Sequence, residues 1–278
     1  MSDLLTYAYC LVRSPRRPVL RGVAAGVPGA TALRALDAGR GVWLIAASVP
    51  SRDYDERAVA AGLQKLDWVG RRAMAHEAVV ECFLDAPAVL PMQLFALFTS
   101  DERALAHLVR DRKTIDRVLK RLDRQLEWGL RLTFDEKAAR DVVEARHDAA
   151  GRASSTVTGI PAKRARSGSR AVSGAAYLER KRDLFDVTRV ELAQARSQAD
   201  RLFRAMRREA TEAVRRTAME QAAPGSRLLL DAAFLVPKRR SGAFRSALRK
   251  HARQLDAAGI VMSLTGPWPP YNFIAKSQ

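Results

Sequence analysis

Residues 227–264 read RLLLDAAFLVPKRRSGAFRSALRKHARQLDAAGIVMSL, and the order of events along them decides the fold class. Arg227 to Val236 is an apolar run closed by Pro237, the pattern of a buried strand. Ser241 stands as an N-cap for a helix from Gly242 to about Ala258, and Gly259 supplies its C-terminal stop. Ile260 to Leu264 is a further strand. A strand, a helix and a strand in quick succession require helices packed on a sheet.

Upstream, Tyr177 to Ala222 contains no Gly or Pro. Leu178, Phe185, Leu192, Ala199, Met206 and Ala213 recur every seven residues, with Ala195 and Leu202 as a second, weaker seam. The spacing predicts one helix of about 45 residues, ~68 Å long. A stripe of that length exceeds what a small domain can cover, so a coiled-coil-like hairpin is expected. Its small Ala positions favour packing within the chain over a strong dimer.

The first half alternates in kind. Leu4 to Val12 and Val42 to Val49 read as strands, the second introduced by Gly39-Arg40-Gly41. Asp55 and Glu56 open a helix expected to run unbroken to about Phe83. Ala88 to Phe98 is apolar, with Pro91 at a strand start or edge. Ser100 caps a helix expected to reach about Arg124, and Glu127 to Phe134 closes this half as a strand. The result is an α+β module.

Four segments follow: an N-terminal domain, residues 1–135; a connecting helix, 136–150; a linker, 151–174; and a C-terminal α/β domain with the long helix, 175–278. The linker, GRASSTVTGIPAKRARSGSRAVSG, lacks large apolar groups and is read as flexible and exposed. The chain of 278 residues carries 48 Lys and Arg against 30 Asp and Glu, a net charge of +18. Splitting after Asp135 assigns +4 to the first part and +14 to the second. Such a balance admits an acidic partner, an acidic surface or a nucleic acid, and it also suits a plainly solvated surface.

No run approaches the ~18 apolar residues of a membrane span, and the N-terminus lacks a signal-peptide pattern. Cys10 and Cys82 are too few for a disulfide framework, so reduced thiols and a cytoplasmic location are expected. The four histidines never fall into a metal-ligand spacing. His76-Glu77 begins like a zinc-protease motif, but Val80 stands where the second His belongs. The pair reads as packing on a helix, and Asp53, Asp55 and Glu56 answer a helix dipole. With no nucleophile elbow, phosphate loop or dinucleotide motif, no catalytic, metal or cofactor residues are expected, and an enzyme is disfavoured. Nucleic-acid binding remains the rival reading on charge, without aromatic interleaving or a recognition motif.

The segment Gly266-Pro267-Trp268-Pro269-Pro270-Tyr271-Asn272-Phe273 is the most unusual. Its prolines fix an extended backbone carrying three rings. It either staples the core or presents an anchor to another protein.

That segment also carries a resemblance. It is similar to the closing motif of the gas vesicle protein F/L family (GvpF/GvpL). Tyr7 and Tyr9 in the opening strand, Ala75-His76-Glu77-Ala78-Val79-Val80, and Val89-Leu90-Pro91 resemble further family motifs in the family's order. So do Glu127-Trp128-Gly129-Leu130-Arg131-Leu132 and Gly174-Ala175-Ala176-Tyr177-Leu178-Glu179-Arg180-Lys181. After Pro91 the family runs R-F-G-[TS], where this chain has Gln93, Leu94, Phe95 and Ala96. The resemblance implies a ferredoxin-like α+β N-terminal domain and a C-terminal α/β domain with long helices. It further implies a non-enzymatic accessory protein that binds the hydrophobic shell protein GvpA and other vesicle proteins, keeping subunits soluble or nucleating the shell. Trp268, Pro269, Pro270, Tyr271, Phe273, Glu127, Trp128, His76 and Glu77 are the residues expected to serve as partner contacts or structural motif. The physical expectation for shell binding is strand addition at an edge of the N-terminal sheet.

Overall fold

A computed structural model describes residues 4–135, 174–217 and 225–274, with side chains in the long helix from Arg189 onward. The connecting helix at 136–150 and nearly all of the basic linker lie outside the described residues.

The first sheet contains β1 (Leu4–Arg13), β2 (Arg34–Asp37), β3 (Val42–Pro50), β4 (Ala88–Pro91) and β5 (Leu97–Phe98). Its order is β2-β3-β1-β4, with β5 also beside β1, and its pairings are antiparallel. β2 was not foreseen: four residues with a charge at each end give no alternation to read. Gly39-Arg40-Gly41, expected to introduce a strand, is the β2–β3 turn. All three residues have positive φ (80°, 55° and 70°), which explains the paired glycines.

A single helical turn, α1 (Ser51–Tyr54), precedes the helix expected from Asp55 to Phe83, and that helix is itself broken into α2 (Glu56–Leu63) and α3 (Leu66–Glu81). Asp55 caps α2, its carboxylate accepting from Ala58 N at 2.7 Å. The break follows from packing: the Trp68 ring lies over Gly62, where a Cβ would sit 2.5 Å away. The long helix at 100–124 is likewise two, α4 (Asp101–Arg110) and α5 (Arg112–Arg121). Ser100 caps α4 as expected, accepting from Arg103 N.

The second sheet holds β6 (Gln125–Asp135), β7 (Glu212–Arg215), β8 (Ser226–Pro237) and β9 (Ile260–Trp268), in the order β7-β8-β6-β9. β6 was expected to close the first half; it pairs with β8 and β9 instead. α6 (Gly174–Glu209) and α7 (Ser241–Asp256) complete it. α6 stops at Glu209, short of the expected Ala222, although no Gly or Pro halts it. Tertiary packing overrides propensity here, because Ala213 and Val214 pair into the sheet against Phe234 and Ala233. Ser241 is the first residue of α7, and the N-cap position falls on Arg240, whose side chain makes no cap hydrogen bond.

Among the described residues the second sheet's elements run β6-α6-β7-β8-α7-β9, with antiparallel strand order 2-3-1-4. The first sheet has the same order, but residues 14–33 contain no helix between its first two strands.

The layers follow from three apolar clusters. One face of the first sheet packs Tyr7, Tyr9, Ile45 and Val49 against Val79 and Val80 of α3. Its other face packs Leu11, Leu44 and Leu90 against Leu108, Val118 and Leu119 of α4 and α5. That cluster continues into Ala233 and Leu235 of β8 and into Phe273. The far face of the second sheet packs Leu130, Leu132, Phe134 and Phe234 against Ala195, Ala199, Leu202 and Met206 of α6 and Phe244 of α7. Five layers result: α1–α3, sheet, α4–α5, sheet, α6–α7. The seven-residue stripe of α6 covers the sheet over the length whose side chains are described.

Candidate functional site

β6 alternates, so Glu127 and Trp128 point to opposite faces. Trp128 is buried on the α6–α7 side, its Nε1–H donating to Ser241 Oγ at 3.4 Å. Glu127 is buried on the side of the first sheet. It stands opposite Trp268 in the β6–β9 register, where the chain leaves β9 and crosses back.

Glu127 grips that returning strap. Its Oε2 accepts from the Asn272 main-chain N–H at 2.9 Å, and its Oε1 accepts from Asn272 Nδ2 at 2.5 Å. Two glycines make the close approach possible. A Cβ on Gly129 would lie 2.6 Å from Thr265 Oγ1, and Gly266 holds φ 114° with the Glu127 carbonyl oxygen 2.9 Å from where a Cβ would be. Gly266-Pro267 is a cis peptide. Pro269 and Pro270 are buried, and Phe273 is fully buried in the central cluster beside Leu119 and Leu235. Trp268 is 37% exposed. Within the strap Phe273, Pro269 and Pro270 are thus buried, while Trp268 is partly exposed.

Tyr271 carries the strap to α3. With Ile274 it walls a cleft of about 390 Å³ whose other side is Ala73, His76 and Glu77 of α3 and the Pro91–Leu94 turn. Burial raises the Glu77 carboxyl; the nearby Tyr271 hydroxyl opposes the shift, while Glu81 and Glu127 add to it. Glu127 is raised by the same cause, offset by Asn272 and by Arg216. Burial also raises the Tyr271 phenol, reinforced by Glu77.

His76 sits beneath the cleft, 3% exposed, between the Tyr7 and Tyr9 rings at 5.7 and 5.5 Å. Burial pushes its imidazole down to about 4, opposed by the Met92 backbone. Its Nδ1 lies 3.0 Å from the Tyr7 hydroxyl, which accepts from Phe95 N–H. Phe95 has φ 65° and stacks on Trp68 at 5.3 Å. It stands where the R-F-G-[TS] run has Gly, the residue that adopts a positive φ most readily.

The sequence missed the charged parts of the joint, because single charged residues carry no periodic signal. Asp231, 8% exposed, accepts from Arg216 Nε at 2.8 Å and from Arg131 Nη2 at 3.3 Å. The Lys238 ammonium donates to the carbonyls of Leu84 and Ala86, tying the second sheet's β8 end to the α3–β4 turn.

At neutral pH His76 is uncharged, and the Cys10 thiol, fully buried, is raised by burial. Neither is poised as a base or nucleophile near pH 7. Among the described residues no three His, Cys, Asp or Glu side chains group to hold a metal, and no helix is long and apolar enough to cross a membrane. The sequence-singled residues Glu127, Tyr271, Phe273, His76 and Glu77 converge on one joint between the two sheets; Trp128 and Trp268 lie outside it.

These features define a two-sheet α+β protein whose distinctive residues fasten its two sheets together. The chain belongs to the gas vesicle synthesis protein GvpL/GvpF family, whose profile matches residues 5–275. It is 30% identical to gas vesicle protein L of Streptomyces sp. (strain CB03234), over all of this chain and 95% of that protein. Its fold resembles the crystal structure of GvpF from Anabaena sp. PCC7120, with TM-score 0.64 and 15% identity over 99% of this chain and 98% of that one. GvpF from Microcystis aeruginosa is similar too, with TM-score 0.62 and 12% identity over 98% and 99% of the two chains.

Proposed function

We propose that this protein is a non-enzymatic accessory factor of gas vesicle assembly that binds the hydrophobic shell protein GvpA and other vesicle proteins in the cytoplasm and at the vesicle. It holds shell subunits soluble or nucleates their packing. The observation that carries this reading is the family match across nearly the whole chain, joined to a motif cluster built for packing. A shell subunit that polymerises through apolar and strand surfaces requires a partner that covers them until assembly.

The proposed contact is strand addition at β2, which ends the first sheet. As domains we keep residues 1–135 and 175–278 as two units joined through 136–150 and 151–174, with β6 exchanged into the second sheet. We read the second sheet as a ferredoxin-like unit, the first as its variant without the first helix, and the N-terminal reach of α6 as the coiled-coil-like part.

Co-purification of shell subunit with the tagged full chain at moderate salt tests the function. Retention of the shell subunit is expected; its loss, with the chain folded, contradicts the reading. Nucleic-acid binding rests on the +18 charge alone. Affinity that vanishes by ~0.3 M salt would mark it as counterion release.

A further inference from the structure

The two outermost layers of the stack differ in charge. The α1–α3 span, Ser51 to Glu81, carries five Lys and Arg against six Asp and Glu. At the other end, α6 exposes Arg196, Arg201, Arg204, Arg207 and Arg208, while α7 exposes Arg245, Arg249, Lys250 and Arg253. Within 196–208 and 245–253 the only acid is Asp200, which is engaged by Arg215 at 2.6 Å.

The placement is directional. Ala195, Ala199, Leu202 and Met206 seat α6 on the sheet, and Phe244, Leu248 and Leu255 seat α7. The cations occupy the outward sides of two helices on one face. A merely solvated helix ordinarily mixes signs and pairs them at i, i+4. The nine exposed cations outnumber the four acids among the described side chains of the two helices, Glu191, Asp200, Glu209 and Asp256, and an acidic partner would relieve their mutual repulsion.

We propose that the outward faces of α6 and α7 form a docking surface for an acidic protein segment, one presenting several Asp or Glu side chains along its length. Three observations select that occupant. A second copy is disfavoured, since the opposite end layer is nearly neutral. Neither helix exposes an aromatic ring among its described side chains, so the stacking that single-stranded nucleic acid uses is missing. Carboxylates already fit at the margins of this face, where Arg240 holds Glu209 at 2.8 Å and Arg215 holds Asp200; eight of the nine exposed cations are Arg, whose fork suits carboxylates. The inference goes beyond the shell-binding reading, because an apolar shell subunit does not call for such a surface. It adds a second, acidic partner.

The test uses the full chain and a fluorescein-labelled peptide of repeating Glu and Ala. Salt-sensitive binding is expected, and the triple variant Arg201→Glu, Arg204→Glu, Arg208→Glu should weaken it by roughly tenfold or more at ~0.1 M salt. Arg103→Glu, Arg110→Glu, Lys113→Glu changes the net charge equally on α4 and α5 and should weaken it less than about threefold. Matching melting curves establish that both variants fold. Equal losses in the two triples would overturn the proposal in favour of bulk charge. No binding by the wild type, or displacement of the peptide by short duplex DNA at lower charge concentration, would overturn it also. The α6 variant should still retain the shell subunit; loss of both ligands together would refute a separate acidic partner.

Discussion

At the residue scale the joint depends on a few polar side chains in apolar surroundings. Glu127 satisfies two donors of Asn272, so Glu127→Ala leaves them stranded and should cost about 3 kcal/mol in denaturant titration, with Glu127→Gln costing less. A loss under about 0.5 kcal/mol would show that the strap is held otherwise. Phe95 adopts the left-handed turn at φ 65°. Phe95→Gly and Phe95→Ala both forfeit the Trp68 stack, but only Ala keeps the backbone strain, so Gly should be the more stable by about 1 kcal/mol. Equal melting temperatures would contradict this. His76 gives a pH signature. Its folded value, about 4, lies below the ordinary 6.5, so the unfolded chain takes up the proton first as pH falls. The neutral ring's contribution is complete above about pH 6.5 and is lost as pH falls toward 4. The gap corresponds to about 3 kcal/mol. Wild type should therefore lose about that much more stability than His76→Gln between pH 7 and 4, Glu77 being common to both. Parallel curves would contradict a neutral buried ring. Most of these residues were legible as motif members. Their partners were not: nothing near Glu127 in the chain announces Asn272, 145 residues away.

At the element scale, runs of apolar residues revealed β1, β3, β8 and α7 within a few residues of their bounds. Elements defined by tertiary contact were hidden. β2 has no periodicity of its own, and β7 sits in what reads as continuing helix. α2 and α3 separate because a ring lies over Gly62. β6 read as a strand, while its sheet could not be read, since pairing depends on partners more than ninety residues later. The alternation of β6 against the exposed end of β9 yields a prediction. Trp128, 4% exposed in the far cluster, should cost about 3–5 kcal/mol when changed to Ala. Trp268→Ala should cost clearly less, its side chain being 37% exposed at the end of β9. A melting curve for each decides; the reverse order would place Trp268 as the staple.

At the scale of the whole molecule, five layers share cores rather than merely touch. The cluster under α4 and α5 takes residues from both sheets and from the strap, which makes the chain a rigid scaffold with chemically unlike ends. Its α1–α3 end is nearly neutral and its α6–α7 end is densely basic. The charge asymmetry between the chain's halves was visible in composition; that it gathers on the outward faces of two helices required the fold.

Co-expression of the tagged full chain with the shell subunit, followed by purification at moderate salt, bears on all of this most directly. The account predicts that shell subunit elutes with the chain in a fixed ratio and is absent from a control lacking the chain. Shell subunit that appears only in the unbound fraction, while the chain elutes folded and alone, would contradict it.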